Sequence, residues 1–169
     1  MTLARKKPLT RKPAKRKAPR PGGCTTQRCG RRPASVVIAP DERYCKTHAM
    51  KIADKLVGDY VKGWYGTCVA KPASSSFWSG PVFNCSGGAL QWAHLIPRGY
   101  RAVRHSPDNA VALCPAHHRW FDTHPLERED MIRDWLGDEY DEMRALARTH
   151  VAQDLAEVIV EFRKRLADG

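Results

Sequence analysis

No run of apolar residues in this 169-residue chain approaches the ~18 or more that a membrane helix requires, and mean hydropathy is −0.55. A membrane-spanning chain is therefore not expected. Met1-Thr-Leu-Ala-Arg-Lys-Lys carries charge with no apolar stretch after it, so a secretory signal is not expected either, and the compartment is expected to be cytoplasmic with thiols reduced. Residues 1–22 lack any acidic residue while holding nine Lys or Arg and four Pro. They have almost nothing to bury and read as a disordered basic arm. Cysteine is missing from residue 115 onward, large apolar residues are few between Gly22 and Arg43, and no repeat of the helical-array type is evident.

What the chain does have is positive charge, +11 in total, which favours a polyanionic partner and disfavours an acidic-ligand scaffold. The charge is uneven: +9 on residues 1–22, +7 on 23–124 and −5 on 125–169. The arm suits sequence-independent contact with phosphates through groups such as Lys15, Arg16 and Lys17, although a solubilising tail has the same composition. Four segments follow: the arm, an N-terminal module with a helix over 23–66, a core over 67–124, and a helical extension over 125–169. Ala49, Ile52, Ala53, Leu56, Tyr60 and Trp64 recur at helical steps and predict a helix from about Arg43 to Lys62. Val82–Asn84 and Leu90–Ile96 read as strands about the turn Cys85-Ser-Gly-Gly88, with a loop over Pro72–Pro81 before them. In the extension, Pro125 suits a helix start and Gly137 a stop, with stripes at Leu126, Ile132, Trp135 and Leu136, then Tyr140, Met143, Leu146 and Ala147, then Val151, Leu155, Val158, Ile159, Phe162 and Leu166. These stripes suit packing on the same chain, or a homodimer.

With reduced thiols, the six cysteines point to metal. Cys24-x4-Cys29 and Cys45-x2-His48 form one paired-ligand set, the pattern of four-coordinate structural zinc. Cys68, Cys85 and Cys114-x2-His117 form a second, less regular set, in which Cys68 lies furthest from the rest in sequence. Each Cys-x2-His pair lies at i and i+3 near a helix start, so its two side chains turn one way. Incidental buried cysteines with a surface histidine are the bland alternative.

Between Cys85 and Asp122 run Gln91-Trp-Ala-His94-Leu-Ile-Pro-Arg98, then Asn109-Ala-Val-Ala-Leu-Cys114-Pro-Ala-His117-His118. Phosphodiester hydrolysis needs an activated water and positive charge on the developing phosphorane. His94 offers a base that titrates near neutral pH. His117 and His118 diverge by about 100° around a helix, so they serve different sites: His117 the zinc, His118 the cleft.

In His94, Asn109 and Cys114-x2-His117-His118 the stretch resembles HNH endonucleases of the ββα-metal type, most of all the zinc-containing HNH nucleases of bacteriophages, including the recombination-associated NinG-like group. The resemblance implies a small zinc-stabilised α+β fold with a ββα-metal core. It also implies DNA as partner, a host-cell cytoplasmic setting, and a role in recombination or packaging. The implied chemistry uses one Mg²⁺ or Mn²⁺ on His118, with Asn109 orienting His94. Ala93 departs from the family pattern, which often has a ligand there; Asp122, at i+4 from His118, would complete the site, with His124 a second option. Asp122 reads equally as a helix-end surface carboxylate. Arg98, Arg101, Arg104 and Arg119 would position phosphates. The rival is a non-catalytic zinc-dependent DNA-binding accessory on a degenerate HNH scaffold, and an RNase is also compatible with the motif.

Overall fold

The computed structural model describes residues 23–26, 29, 33–70, 78, 85 and 87–169. The basic arm with Lys15, Arg16 and Lys17, most of the Ser-rich loop, and the strand expected over Val82–Asn84 lie outside the described residues.

Two strand–strand–helix units follow one another, and together they make a mixed α+β fold. In the first, β1 (Val36–Ala39) pairs antiparallel with β2 (Glu42–Tyr44), and Cys45 leads into α1 (Lys46–Tyr65). In the second, β3 (Gln91–His94) pairs antiparallel with β4 (Ala110–Leu113), and Cys114 leads into α2 (Pro115–Thr123). Both cysteines are helix caps with extended backbone, φ −71°, ψ 154° at Cys45 and φ −70°, ψ 162° at Cys114. The chain therefore turns from strand to helix at a cysteine in each unit. Helices α3 (Pro125–Leu136), α4 (Asp138–Ala147) and α5 (Leu155–Asp168) complete the chain, and no described helix is long and apolar enough to cross a membrane.

The structure departs from the expected elements at four points. Helix α1 starts at Lys46 rather than Arg43, because Arg43 and Tyr44 are claimed by pairing with Val37 and Val36. It runs through Gly63 to Gly66, whose φ of 63° lets its N–H close on the Lys62 carbonyl at 3.0 Å. Its buried stripe is Ala49, Ala53, Val57, Gly58 and Val61, and Trp64 is left 76% exposed. Finally, β3 pairs with Ala110–Leu113, so His94 ends the first strand of its hairpin rather than lying on the second. All four β4 residues are buried, so no polar alternation marks that strand in the sequence.

The β3–β4 hairpin is a middle layer. Side chains alternate along a strand, so Ala93, Val111 and Leu113 face one core with Phe121, Met131, Ile132, Tyr140 and Ala147 of α2 to α4. Trp92 and Ala110 face the other, with Val57 and Val61 of α1 and Phe162 of α5. Fully burying residues such as Phe121 or Ile132 contributes about 1.5–3 kcal/mol each. Leu155 and Ile159 of α5 close over Ala49 and Ala53 of α1, and Arg163 grips Glu42 through two hydrogen bonds of 2.9 and 2.6 Å. Leu155, Ile159 and Phe162 of the last helix are thus spent on their own chain, while Leu166 of the same expected stripe is exposed. The expectation of a homodimer through the C-terminal helices gains no support from this packing, and Leu126, Leu146 and Val151, expected in stripes, are exposed.

Candidate metal centres and active site

Cys24, Cys29, Cys45 and His48 bring their ligand atoms within 4.8 Å of one another, and so do Cys68, Cys85, Cys114 and His117. None of these cysteines is in a disulfide. In the first cluster the donor edges are 3.4 Å from Cys29 Sγ to Cys45 Sγ, 3.3 Å from Cys45 Sγ to His48 Nδ1 and 3.5 Å from Cys24 Sγ to His48 Nδ1. In the second, His117 Nδ1 is 3.1, 3.5 and 3.7 Å from Cys114, Cys68 and Cys85 Sγ. A tetrahedron with Zn–S of ~2.3 Å and Zn–N of ~2.0 Å has edges of roughly 3.5–3.8 Å, so both donor sets fit zinc. The Cys114 N–H points at Cys68 Sγ, 3.2 Å away, and Trp78 sets its ring edgewise on His117 at 4.9 Å.

Electrostatics favour a cation in both places. Burial, then the neighbouring Cys24 and Cys45 thiols, push Cys29 up to about 12. Burial also opposes ionisation of Cys24, but hydrogen bonds with Thr26 and the Cys45 backbone outweigh it and draw that thiol down to about 6. Burial pushes Cys68 up to about 11, against the pull of the backbone N–H groups of Cys114 and Ala70. Packed thiols that hinder one another's ionisation become thiolates together when a metal supplies positive charge.

His94 is the last residue of β3, with its Nε2 3.2 Å from the Arg104 carbonyl oxygen. A carbonyl only accepts, so Nε2 carries the proton and the Nδ1 lone pair is left to act as a base. Contrary to the near-neutral titration expected from the sequence, burial pushes His94 down to about 4, the Arg104 carbonyl only partly offsetting it, so the ring is neutral at physiological pH. Asn109, fully buried, cross-links the long inter-strand loop. Its Oδ1 accepts from the Ile96 N–H at 2.6 Å, while its Nδ2 donates to the Ile96 and Val103 carbonyls, each at 3.1 Å. Its own carbonyl accepts from the Leu95 N–H at 2.9 Å.

His118 reaches the opposite face of β3. Its Nδ1 lies 2.7 Å from Gln91 Oε1, an acceptor, so Nδ1 carries the proton and Nε2 presents a lone pair. That nitrogen is 3.6 Å from Asp122 Oδ2. An imidazole nitrogen and a carboxylate oxygen facing each other at this distance could serve as two ligand atoms for one cation. Ala93, on the Gln91 face and fully buried, offers no third. His124 stacks on Trp120 at 4.7 Å and uses Nδ1 on the Trp120 carbonyl at 2.9 Å. Among the described residues, only the two Cys/His clusters gather three or more Cys, His or carboxylate donors, so His94, His118, Asp122 and His124 form no such cluster.

Arg98, Arg101 and Arg119 are exposed. Arg104, expected on phosphates, is committed elsewhere: Nε and Nη2 grip Asp54 of α1 at 2.9 and 2.7 Å, and Nη1 donates to the Arg98 carbonyl at 3.2 Å. Its long side chain finds a partly buried carboxylate that no local spacing announces. Asp54, His105, Gln91 and Gln153, which these contacts bring into play, were not singled out by the sequence; only Gln91 carried a signal, through strand alternation with Ala93.

Residues 68–126, about a third of the chain, match the family model of the HNH endonucleases. No curated protein and no solved structure matches the chain.

Proposed function

We propose that the chain is a metal-dependent HNH endonuclease that hydrolyses DNA phosphodiester bonds, with His94 as general base. The observation that carries this reading is the fixed tautomer of His94, whose Nδ1 lone pair is left open within the matched segment. His118 and Asp122 would hold one Mg²⁺ or Mn²⁺, which supplies positive charge against the phosphorane and keeps several waters of its own. His94 Nδ1 takes a proton from the attacking water as its oxygen bonds to phosphorus. The bond from phosphorus to the 3′ oxygen breaks, that oxygen collects a proton from solvent, and the products are 5′-phosphate and 3′-hydroxyl ends. Asn109 keeps the loop carrying Arg104 against the hairpin, while Arg98, Arg101 and Arg119 hold phosphates. The two zinc ions are structural, and the segments 1–22, 23–66, 67–124 and 125–169 divide binding, support, chemistry and cover. Resemblance alone supports the bacteriophage setting and a role in recombination or packaging.

Purified protein is expected to nick plasmid DNA with Mg²⁺ or Mn²⁺. His94→Ala and His118→Ala should each cut the rate by about 10²-fold or more while two zincs per chain remain by mass spectrometry. Undiminished nicking by His94→Ala would remove it as the base. Ala93 favours a second reading, a zinc-dependent DNA-binding accessory, which would retard DNA in gels yet cleave nothing with any divalent ion.

A further inference from the structure

The Arg104–His105 peptide unit has a partner at each end. Its carbonyl, from Arg104, accepts from His94 Nε2 at 3.2 Å, and its N–H, from His105, donates to Gln153 Oε1 at 2.8 Å. A peptide unit is a rigid plane. Whatever fixes the N–H therefore fixes the direction in which the carbonyl points, and so the ring orientation and tautomer of His94.

The side chains on either flank of this plane converge on one carboxylate. Arg104 grips Asp54 with two hydrogen bonds, and His105 Nε2 lies 3.0 Å from Asp54 Oδ1. His105 is 2% exposed, and since a carboxylate only accepts, its Nε2 is the donor. Burial opposes ionisation of Asp54, but hydrogen bonds from His105 and Arg104 overcome it and hold the carboxyl far below the usual range. From the hairpin side, Asn109 Nδ2 holds the preceding carbonyl, that of Val103. The loop between β3 and β4 has no strand partner over this stretch, so these tethers set its course.

Asp54 belongs to α1, and Gln153 lies in the connection before α5, so both fall outside residues 68–126. We propose that Asp54 and Gln153 are positioning residues for His94, clamping the Arg104–His105 peptide so that its carbonyl holds Nε2–H and leaves Nδ1 open. The inference rests on His94 being the general base. The N-terminal helix and the C-terminal extension thereby complete an active site whose motif lies wholly between them.

The test uses the full chain with both zincs bound, in Gln153→Ala, Asp54→Asn and Asp54→Glu forms. Histidine ring ¹⁵N–¹H correlation spectra, assigned with His94→Gln, read the tautomer without any turnover. The wild type should show His94 as the Nε2–H form, and Gln153→Ala and Asp54→Asn should move it toward a mixture. In nicking assays with Mn²⁺ the same two variants should lose about 10–100-fold in kcat with KM within about twofold, and Asp54→Glu should recover part of the loss. The double variant should cost little more than the worse single one, because both act on one peptide plane. An unchanged tautomer in a folded variant overturns the clamp, whatever its rate. If Asp54→Asn does not fold, Gln153→Ala at its half-buried loop position decides alone. A wild type that cuts nothing would overturn the nuclease reading, with the spectra still deciding the clamp.

Discussion

The two strand–strand–helix units use one local device for different ends. Cys45 and Cys114 both follow a strand and cap a helix, and His48 and His117 both sit three residues on, facing back to their cysteines. The next residue and the one four further are Ala49 and Ala53 in the first unit and His118 and Asp122 in the second. The alanines are fully buried under Leu155 and Ile159 of α5. His118 and Asp122 keep some exposure and face each other at 3.6 Å. The strands differ likewise: Pro40 and Asp41 join β1 to β2, whereas residues 95–109 join β3 to β4 and carry the carbonyl that holds His94. A cysteine-capped helix is a neutral support, and what stands one and two turns into it decides whether it is covered over or offers donors.

Removing metal should break the comparison most violently. A zinc in each Cys/His cluster would be worth roughly 10 kcal/mol or more at neutral pH, so a strong chelator should abolish the helical circular dichroism of both units. Cys114→Ser should unfold the chain, since Cys114 joins the Phe121 core, whereas Cys45→Ser should lose one zinc and leave the β3–β4 hairpin protected in hydrogen exchange. Equal loss of protection in the two variants would show that the units fold as one.

Acid should separate the units next. With His94 held down to about 4 against about 6.5 unfolded, the unfolded chain binds more protons between those values. The stability due to a neutral His94 is full above pH 6.5 and is lost as pH falls toward 4, by about 3 kcal/mol at most. Denaturant titrations of wild type and His94→Ala over this range should differ in slope, the wild type falling more steeply. Parallel curves would mean that His94 is as hydrated folded as unfolded.

The smallest test lies where the units touch. A Cβ on Gly58 would come within 2.9 Å of the Trp92 ring, while one on Gly63, in the same helix, meets nothing within 4 Å. Alanine gains up to about 1 kcal/mol over glycine in a helix. Gly63→Ala should therefore stabilise by up to about that amount, and Gly58→Ala should cost about 1–2 kcal/mol as crowding outweighs propensity. A gain at both positions in thermal melts would show that α1 can shift off β3 freely.

Local periods were legible in the sequence. Cys-x2-His spacing picked out both donor sets, the three-and-four rhythm of Ala49, Ala53 and Leu56 picked out α1, and Pro125 and Gly137 bracketed α3. What escaped was non-local. The strand Ala110–Leu113 is buried on both faces and carries no alternation, so its pairing with Gln91–His94 could not be read. The grip of Asp54 on Arg104 joins residues fifty apart, and nothing in either neighbourhood announces it.

The cover over α1 also has a bearing on biosynthesis. A ribosome makes the matched segment, 68–126, before Gln153 and α5, and domains fold as their last elements emerge. A nascent chain paused at residue 150 holds every motif residue, yet the faces of Ala49, Ala53 and Val57 still lie open. Completion of the fold therefore follows synthesis of the motif by some forty residues, an interval in which the chain offers a chaperone an apolar helix face.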